Sequence, residues 1–367
     1  MQNHVWNLAL EWQKQGHKVQ ILAPLGNMIP IYPIEFHRGI VFYNLGTPRR
    51  IKWMGTTIDI GWISKSLRSD IENEWAISPP DFVHIHTPWN PFIPFQLLGI
   101  IPKNARKFGT FHDTPAENSV GAFILPYLYR FFSPYFNRKI SVSATQAKAL
   151  GLNPETMPEH HQILPNGIPD KLLDLSYDNF SAIKKNRFNL LFLGRLEVRK
   201  APITVLRLLD HYQQQPHSID CHLQIIGNGP LKAEVDAYLE AKPTLKKRVQ
   251  WQEEVSESDK YEAIQQADML IVPSLFGESF GIILLEAMAL GTPVLGYGNA
   301  GYRELAAAYA PEMFPNPHDD KALYEAFMQL INKAEKGEEL QKIGRELAEN
   351  YRWSVLAEKI LNYAISN

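Results

Sequence analysis

The densest chemistry in the chain lies in Gly277-Glu-Ser-Phe-Gly281, followed by Leu285-Glu-Ala-Met-Ala-Leu-Gly-Thr-Pro-Val294. Met269–Val272 reads as a buried strand and Phe280–Leu290 as a helix. Glu278 therefore falls in the loop at the strand's carboxyl end, where open α/β sheets take ligands. Ser279, Phe280 and Gly281 fall at the helix N-terminus, whose free N–H groups and dipole favour an anion. Glu286 lies about two turns from Glu278, placed to reach a sugar hydroxyl from the same side. A capping role for Glu278 and a solvated one for Glu286 is the plainer account of each taken singly. The flanking Gly277, Gly281 and Gly291-Thr-Pro argue against it for the pair.

These residues sit in a chain whose short apolar runs alternate with helical patterns, the mark of parallel α/β domains. Strands are expected at Lys18–Ala23, Phe82–His86, Lys107–Phe111, Lys139–Ser143 and Gln162–Leu164. A second series is expected at Leu190–Leu193, His222–Ile226, Val249–Trp251, Met269–Val272 and Val294–Tyr297, with helices such as Pro202–Gln215, Leu231–Ala241 and Ser258–Ala267 between them. The polar stretch Asp170–Asn189 separates the two series. The 367 residues exceed the ~250–300 at which one core stops growing, so two domains are expected, 1–170 and 171–350. Lys and Arg number 37 against 39 Asp and Glu, leaving no basic field to collect nucleic acid. The single Cys221 excludes an intrachain disulfide and a multi-cysteine zinc site. No apolar run reaches the ~18 residues of a membrane span, and the start lacks the build of a secretory signal. A soluble protein of a reducing, cytoplasmic compartment is the expectation.

The start has a further peculiarity. Gln2–Gln15 reads as an amphipathic helix closed by Gly16 and followed by a strand, whereas a doubly wound domain opens on a strand and a glycine turn. The reading adopted is that the chain begins inside a longer one, in preference to an atypical domain start.

The run from Gly277 to Val294 closely resembles the donor-site motif of family-4 retaining glycosyltransferases, whose core is two glutamates separated by seven residues. Other segments match in order. Phe192-Leu-Gly-Arg-Leu-Glu-Val-Arg-Lys200 resembles the family's diphosphate clamp, Ile163-Leu-Pro-Asn-Gly-Ile168 its interdomain turn and Gly109-Thr-Phe-His112 its catalytic-histidine strand end. His84-Ile-His-Thr-Pro88, Ser141-Val-Ser143 and Ile225-Ile-Gly-Asn-Gly-Pro230 also fit. Arg352-Trp-Ser-Val355 is similar to the start of a last helix that crosses back, which assigns 351–367 to the first domain. Within the family the phosphatidylinositol mannosyltransferase branch is the most similar, through Gln2-Asn-His-Val5, Gly-Arg-Leu-Glu-Val-Arg-Lys and Gly-Glu-Ser-Phe-Gly.

The resemblance implies the GT-B fold: two Rossmann-like domains facing across a cleft, here with the N-terminal strand and glycine-rich turn missing. It implies transfer of a hexose, with retained configuration, from a nucleotide diphosphate sugar (GDP-mannose or UDP-hexose) to a lipid or glycan hydroxyl. Arg195 and Lys200 would hold the departing diphosphate, each charge-assisted hydrogen bond contributing ~1.5–3 kcal/mol, with Arg199 able to share Lys200's task. His112 would contact the donor sugar near the reacting carbon, the departing phosphate accepting the acceptor's proton, and Asp113 would add a polar contact. Glu278 would bind sugar hydroxyls and Glu286 the ribose. Phe280, Gly281 and Ile282 would offer backbone N–H groups, with Ser279 beside them. Gly194 would belong to the donor site, Gly227 and Gly229 would allow close backbone approach near the nucleoside, and Trp251–Val255 would line the base. The sequence departs from the family at Ala201-Pro202 and at Glu253, both usually glycine; a carboxylate at 253 suits a base edge. His84 and His86 share a strand face and are read as structural.

The chain contains no Asp-x-Asp pair, so no metal and no other cofactor is expected, the cationic side chains and helix dipole replacing the metal's charge. On the acceptor side, Arg49, Arg50, Lys52, Trp53, Trp62, Lys65 and Arg68 mix basic and aromatic character, as a protein lying peripherally on an anionic membrane would. Phe123–Phe136 is read as an internal packed helix. Two competing readings stay open: a donor-binding but non-catalytic membrane-surface protein, and a GT-B sugar-nucleotide epimerase.

Overall fold

The computed structural model describes residues 2–24, 39–53, 56–115, 119–175, 187–216 and 219–366. The chain divides into two compact units, Met1–Gly167 with Trp353–Asn367, and Ile168–Arg352. Of the polar stretch Asp170–Asn189, residues 176–186 lie outside the described residues.

The first unit opens on the helix Gln2–Lys14, which buries His4, Leu8, Ala9 and Trp12 on one face and ends at Gly16, φ +90°. Strands β1 (Val19–Ala23) and β2 (Ile40–Asn44) form a parallel pair, and β3 (Arg49–Trp53) and β4 (Thr56–Ile60) an antiparallel hairpin. A separate parallel sheet runs β5 (Phe82–His86), β6 (Arg106–Phe111), β7 (Arg138–Ser141) and β8 (His161–Ile163) in that order. Among the described residues β1 pairs with β2 alone and β5 with β6 alone, so the unit's parallel strands lie in two sheets. The last helix, Trp353–Ile365, belongs to this unit and packs on the first helix, Trp12 Nε1 donating to the Ala357 carbonyl at 3.1 Å. A Cβ on Gly167 would stand 2.6 Å from Trp353, so only glycine lets the chain pass that ring. Deep in the unit, the His161 ring is held between Tyr129 OH and Ser141 Oγ, each at 2.8 Å.

One sequence expectation fails here. The aromatic helix spans Val120–Phe132 but packs on one side only: Leu125, Tyr129 and Phe132 are buried, while Phe123, Tyr127 and Phe131 are exposed. The fourfold spacing of those three rings puts them on one face. Composition concealed this, because both faces of the helix are aromatic. Strands β2, β3 and β4 were also missed: β3 and β4 mix apolar residues with charged and polar ones, whereas β2 is a short apolar run, Ile40-Val-Phe-Tyr43, that was not assigned.

The second unit is a doubly wound parallel sheet of β9 (Arg187–Leu193), β10 (Asp220–Ile226), β11 (Val249–Gln252), β12 (Met269–Val272) and β13 (Val294–Gly296), in the order β11-β10-β9-β12-β13. Every residue of β12 is buried, as a central strand covered on both faces requires. Asp268 fixes its register, accepting from the Asn189 backbone N–H at 2.8 Å. The chain lays β10 and β11 on one side of β9, then β12 and β13 on the other. The order thus reverses between β9 and β12, and a crevice opens at the carboxyl ends of strands that diverge in this way. Helix Ile282–Ala289 follows β12 and is buried almost all round. Arg345 donates to the Ala289 carbonyl at 2.5 Å and to that of Leu173 at 2.6 Å, satisfying a carbonyl at the helix C-terminus.

Candidate active site

The loops after β9 and β12 carry the residues singled out in the second half of the sequence, and the sheet order makes the two loops neighbours. Glu278, 13% exposed, accepts from Lys200 Nζ at 2.5 Å and from Arg199 Nη1 at 2.9 Å. Arg199 also reaches the Gly277 carbonyl at 3.2 Å and, through Nε, Glu197 at 2.6 Å. A carboxylate and two cations therefore meet at the switch point of the sheet. Arg195 does not join them: its side chain is 71% exposed and lies 3.9 Å from Glu197. Arg199, named in the sequence as a secondary partner, takes the inner position.

The turn into the helix after β9 is strained. Ala201 adopts the left-handed conformation, φ +48°, directly before Pro202 at the first helical position. Gly277 and Gly281 also have positive φ, +73° and +95°, and at Gly281 this turns the chain into helix Ile282–Ala289. The helix begins two residues later than expected. Ser279 is half-buried, the Phe280 ring is buried against Tyr351, and Ile282 is exposed at the helix start.

Gly227 and Gly229 have a reason the sequence did not supply. A Cβ on Gly227 would overlap the Gly194 carbonyl, and one on Gly229 would overlap the Leu196 carbonyl. The loops after β9 and β10 are stacked backbone to backbone, with Leu196 N–H donating to Asn228 O at 3.0 Å. Gly301 does the same on the other side, where a Cβ would overlap the Glu278 carbonyl. Beside it Asn299 donates to Ser274 O at 2.8 Å and accepts from Gly301 N–H at 3.0 Å. Neither Asn299 nor Gly301 was singled out in the sequence; Gly298-Asn-Ala-Gly301 directly after an expected strand was the available signal.

Glu286 is not solvated. It is buried and accepts from Lys260 Nζ at 2.8 Å and from Tyr261 OH at 3.4 Å, while Tyr261 OH also donates to Glu257 at 2.8 Å. Burial raises its carboxyl pKa above the usual carboxylate range, against the pull of Lys260. Lys260 stacks over the Tyr261 ring at 4.3 Å. Sequence reasoning missed Lys260 because it comes from a separate helix, Glu257–Gln266. At the end of β11, Trp251 Nε1 donates to Gly227 O at 2.9 Å and Val255 packs half-buried on the core. Glu253 is engaged by Asn228 Nδ2 at 2.8 Å and by Lys232, so it is not a free carboxylate.

In the first unit His112 follows β6 directly, within a group of four histidines. His112 Nε2 and His86 Nδ1 are 2.9 Å apart, and their rings are stacked. The His86 ring lies 4.0 Å from that of His84, which hydrogen-bonds Thr110 Oγ1 at 2.6 Å. His4 meets His86 and His112 edge-on. Burial and the neighbouring rings hold His84, His86 and His112 well below the ordinary imidazole pKa. His86, read from sequence as structural, is thus a direct partner of His112. Asp113 accepts from Trp89 Nε1 at 3.0 Å. Of the Arg49–Arg68 stretch, Arg49, Trp62, Lys65 and Arg68 are exposed, and the side chains of 50–59 lie outside the described residues.

Paired parallel α/β units, one with cations and a carboxylate gathered at its switch point, define a glycosyltransferase of the GT-B fold. Sucrose-phosphate synthase from Thermosynechococcus elongatus aligns with a TM-score of 0.70 at 18% identity, over 98% of this chain and 91% of that one. Anabaena HepE in complex with UDP and glucose aligns at 0.69 and 14% identity, over 99% and 95%. The Glycosyltransferase Family 4 domain matches residues 1–172, and the domain described as Glycosyl transferases group 1 matches residues 176–347. Phosphatidyl-myo-inositol mannosyltransferase of Mycobacterium leprae (strain TN) is 25% identical over 370 residues, covering 98% of this chain and 91% of that protein. The protein belongs to the group 1 and family 4 glycosyltransferases and is a hexosyltransferase.

Proposed function

We propose that the protein is a retaining, metal-independent transferase moving a hexose from a nucleotide diphosphate sugar to a hydroxyl of a lipid or glycan acceptor. The observation that carries this reading is the Arg199–Lys200–Glu278 cluster at the β9/β12 switch point. Two cations there suit the charge that develops on a departing diphosphate, and the carboxylate suits sugar hydroxyls. In this reading Arg195, exposed at the loop edge, turns onto the diphosphate once donor is present. Backbone N–H groups of Ser279, Phe280, Gly281 and Ile282 serve the sugar and phosphates, Glu286 takes the ribose, and His112 contacts the sugar beside the reacting carbon. The absence of an Asp-x-Asp pair supports a reaction in which side-chain cations replace a metal.

The relatives named as mannosyltransferases favour mannose as the transferred hexose, so GDP-mannose is the first reading of the donor and UDP-hexose the second. A lipid acceptor is supported by the exposed Phe123, Tyr127 and Phe131 and by exposed Arg49, Trp62, Lys65 and Arg68, which suit peripheral contact with an anionic membrane on its cytoplasmic face. No helix among the described residues is long and apolar enough to cross a membrane.

The test is a panel of GDP-, UDP- and ADP-sugars measured by thermal shift, where ligand at 100 times its dissociation constant adds ~2.7 kcal/mol. One member of the panel is expected to stabilise the protein and to be turned over in excess chelator with retained configuration. Absence of stabilisation by every member refutes the proposal.

A further inference from the structure

The histidines beside β5 and β6 have a second property that hexose transfer does not call for. His4, His86 and His112 each bring a ring nitrogen within 4.8 Å of the other two. His4 is only 3% exposed, and its two nitrogens are unequal. Nδ1 faces the Asn166 side-chain oxygen at 2.7 Å, so it carries the proton and donates, which leaves Nε2 as a bare lone pair. That lone pair is buried and has no partner. A buried acceptor left unsatisfied is costly, and a native structure that retains one has a use for it.

We propose that His4, His86 and His112 form a binding site for one divalent transition ion of the zinc class. A histidine that ligates a metal through one nitrogen characteristically donates its other N–H to a carbonyl or carboxylate, which fixes the tautomer and aims the lone pair. Asn166 does this for His4. Three imidazoles suit zinc, cobalt, nickel or copper and leave a coordination position open, whereas magnesium and calcium require oxygen ligands. Metal–nitrogen bonds of ~2.0–2.1 Å put tetrahedral ligands about 3.3 Å apart, so closing on an ion takes ring rotations that move nitrogens by about 1 Å. The proton shared between His86 and His112 is no obstacle, because the donating ring frees its nitrogen by changing tautomer. The ion site stands on geometry alone. One consequence rests on the proposed role of His112: an ion held there withdraws that side chain from the donor and inhibits transfer.

The experiment uses the full chain after chelator treatment and dialysis, titrated with Zn2+ by calorimetry and with Co2+ by visible absorption. Expected are one ion per chain and a cobalt spectrum of nitrogen ligation. His4→Ala and His86→Ala should each weaken binding at least ~10-fold, and Asn166→Ala ~10–100-fold, with Asn166→Asp restoring it. His17→Ala, at an exposed histidine outside the group, should bind as the parent does. Circular dichroism melts identify a misfolded variant, and the Asn166 pair then decides, since it alters no ligand atom. Binding unaffected in His4→Ala and His86→Ala, or in both Asn166 variants alike, overturns the proposal, as does failure of the parent to bind Zn2+. A chain that binds Zn2+ but no nucleotide sugar refutes the donor reading and leaves the ion site standing; the reverse result refutes the ion site alone.

Discussion

Replacing Glu278 by Gln separates two jobs that the carboxylate performs. In the free protein it neutralises Lys200 at 2.5 Å and Arg199 at 2.9 Å, in surroundings where the three side chains are 13–31% exposed. Removing one partner of a buried ion pair costs ~3–5 kcal/mol, because the charge left behind is uncompensated. Two features reduce this. Arg199 keeps Glu197 at 2.6 Å, and its partial exposure lets water screen it. A net loss of about 2 kcal/mol follows, or ~4–8 °C in the melting temperature of a unit of this size. Ligand binding should move the other way. With Glu278 neutral, the Lys200 ammonium lacks its carboxylate, and a diphosphate is the natural replacement. Calorimetry with the matching nucleoside diphosphate, carrying no sugar, is therefore expected to show affinity equal to or greater than the parent's. Saturating nucleotide should recover most of the lost melting temperature. Turnover should nevertheless fall ~10²-fold, since a misplaced sugar loses that much without any change in the reacting groups. If nucleoside diphosphate affinity and turnover drop by the same factor, Glu278 does not divide its work in this way, and the cluster is a structural ion pair.

Other perturbations test other parts of the arrangement. Ala201→Gly should stabilise the protein by about 0.5 kcal/mol in thermal or urea unfolding, because relief of left-handed strain, ~1–2 kcal/mol, exceeds the added entropy of the unfolded chain, ~0.4–1 kcal/mol; destabilisation would contradict the strain. Gly227→Ala and Gly301→Ala should each cost ~3 kcal/mol or more, since the new methyl overlaps backbone oxygens that have no room to yield, and a change under ~1 kcal/mol would refute the stacking of loops. Glu286→Ala should weaken nucleotide binding and His112→Ala should chiefly lower turnover; equal losses of nucleotide affinity in both would overturn their separate roles. Burial holds His161 down to about 3 when folded, against ~6.5 unfolded, so its contribution is complete above pH ~6.5 and is lost as pH falls toward 3. About 2 kcal/mol should be gone by pH 5, and His161→Gln should flatten that part of a melting-temperature profile between pH 7 and 5.

The strands were legible where burial on both faces writes a continuous apolar run: Met269–Val272 has the same bounds in sequence and structure. They were illegible where charged residues dominate the run, as in Arg49–Trp53, whose three cations hide its pairing with Thr56–Ile60. The charged groups after β9 and β12 were legible because a motif carries type and spacing together. Which of them touch was not: Arg199 and Lys200, on the short turn Val198–Lys200, both reach Glu278, whereas Arg195, ahead of that turn, stays exposed beside Glu197. Lys260 and His86 were missed as partners because contact across separate elements leaves no local trace.

The glycines show how a motif reports something other than its apparent subject. Glycine in a ligand-binding loop suggests close approach of ligand to backbone, and Gly227 and Gly229 were read so, near the nucleoside. Their immediate neighbours are instead the carbonyls of Gly194 and Leu196, and Gly301 lies equally close under the Glu278 carbonyl. The loops after β9 and β10 are locked to each other, and those after β12 and β13 likewise, each by a backbone contact that no side chain would permit. Glu278 and Lys200 project from this layer and already stand at 2.5 Å. Fixed backbone supports groups of opposite charge without waiting for a ligand to organise them, and such preorganisation is what makes electrostatic stabilisation strong at the moment of bond cleavage. The glycines thus serve a departing diphosphate indirectly, by making the frame that holds its counter-charges rigid.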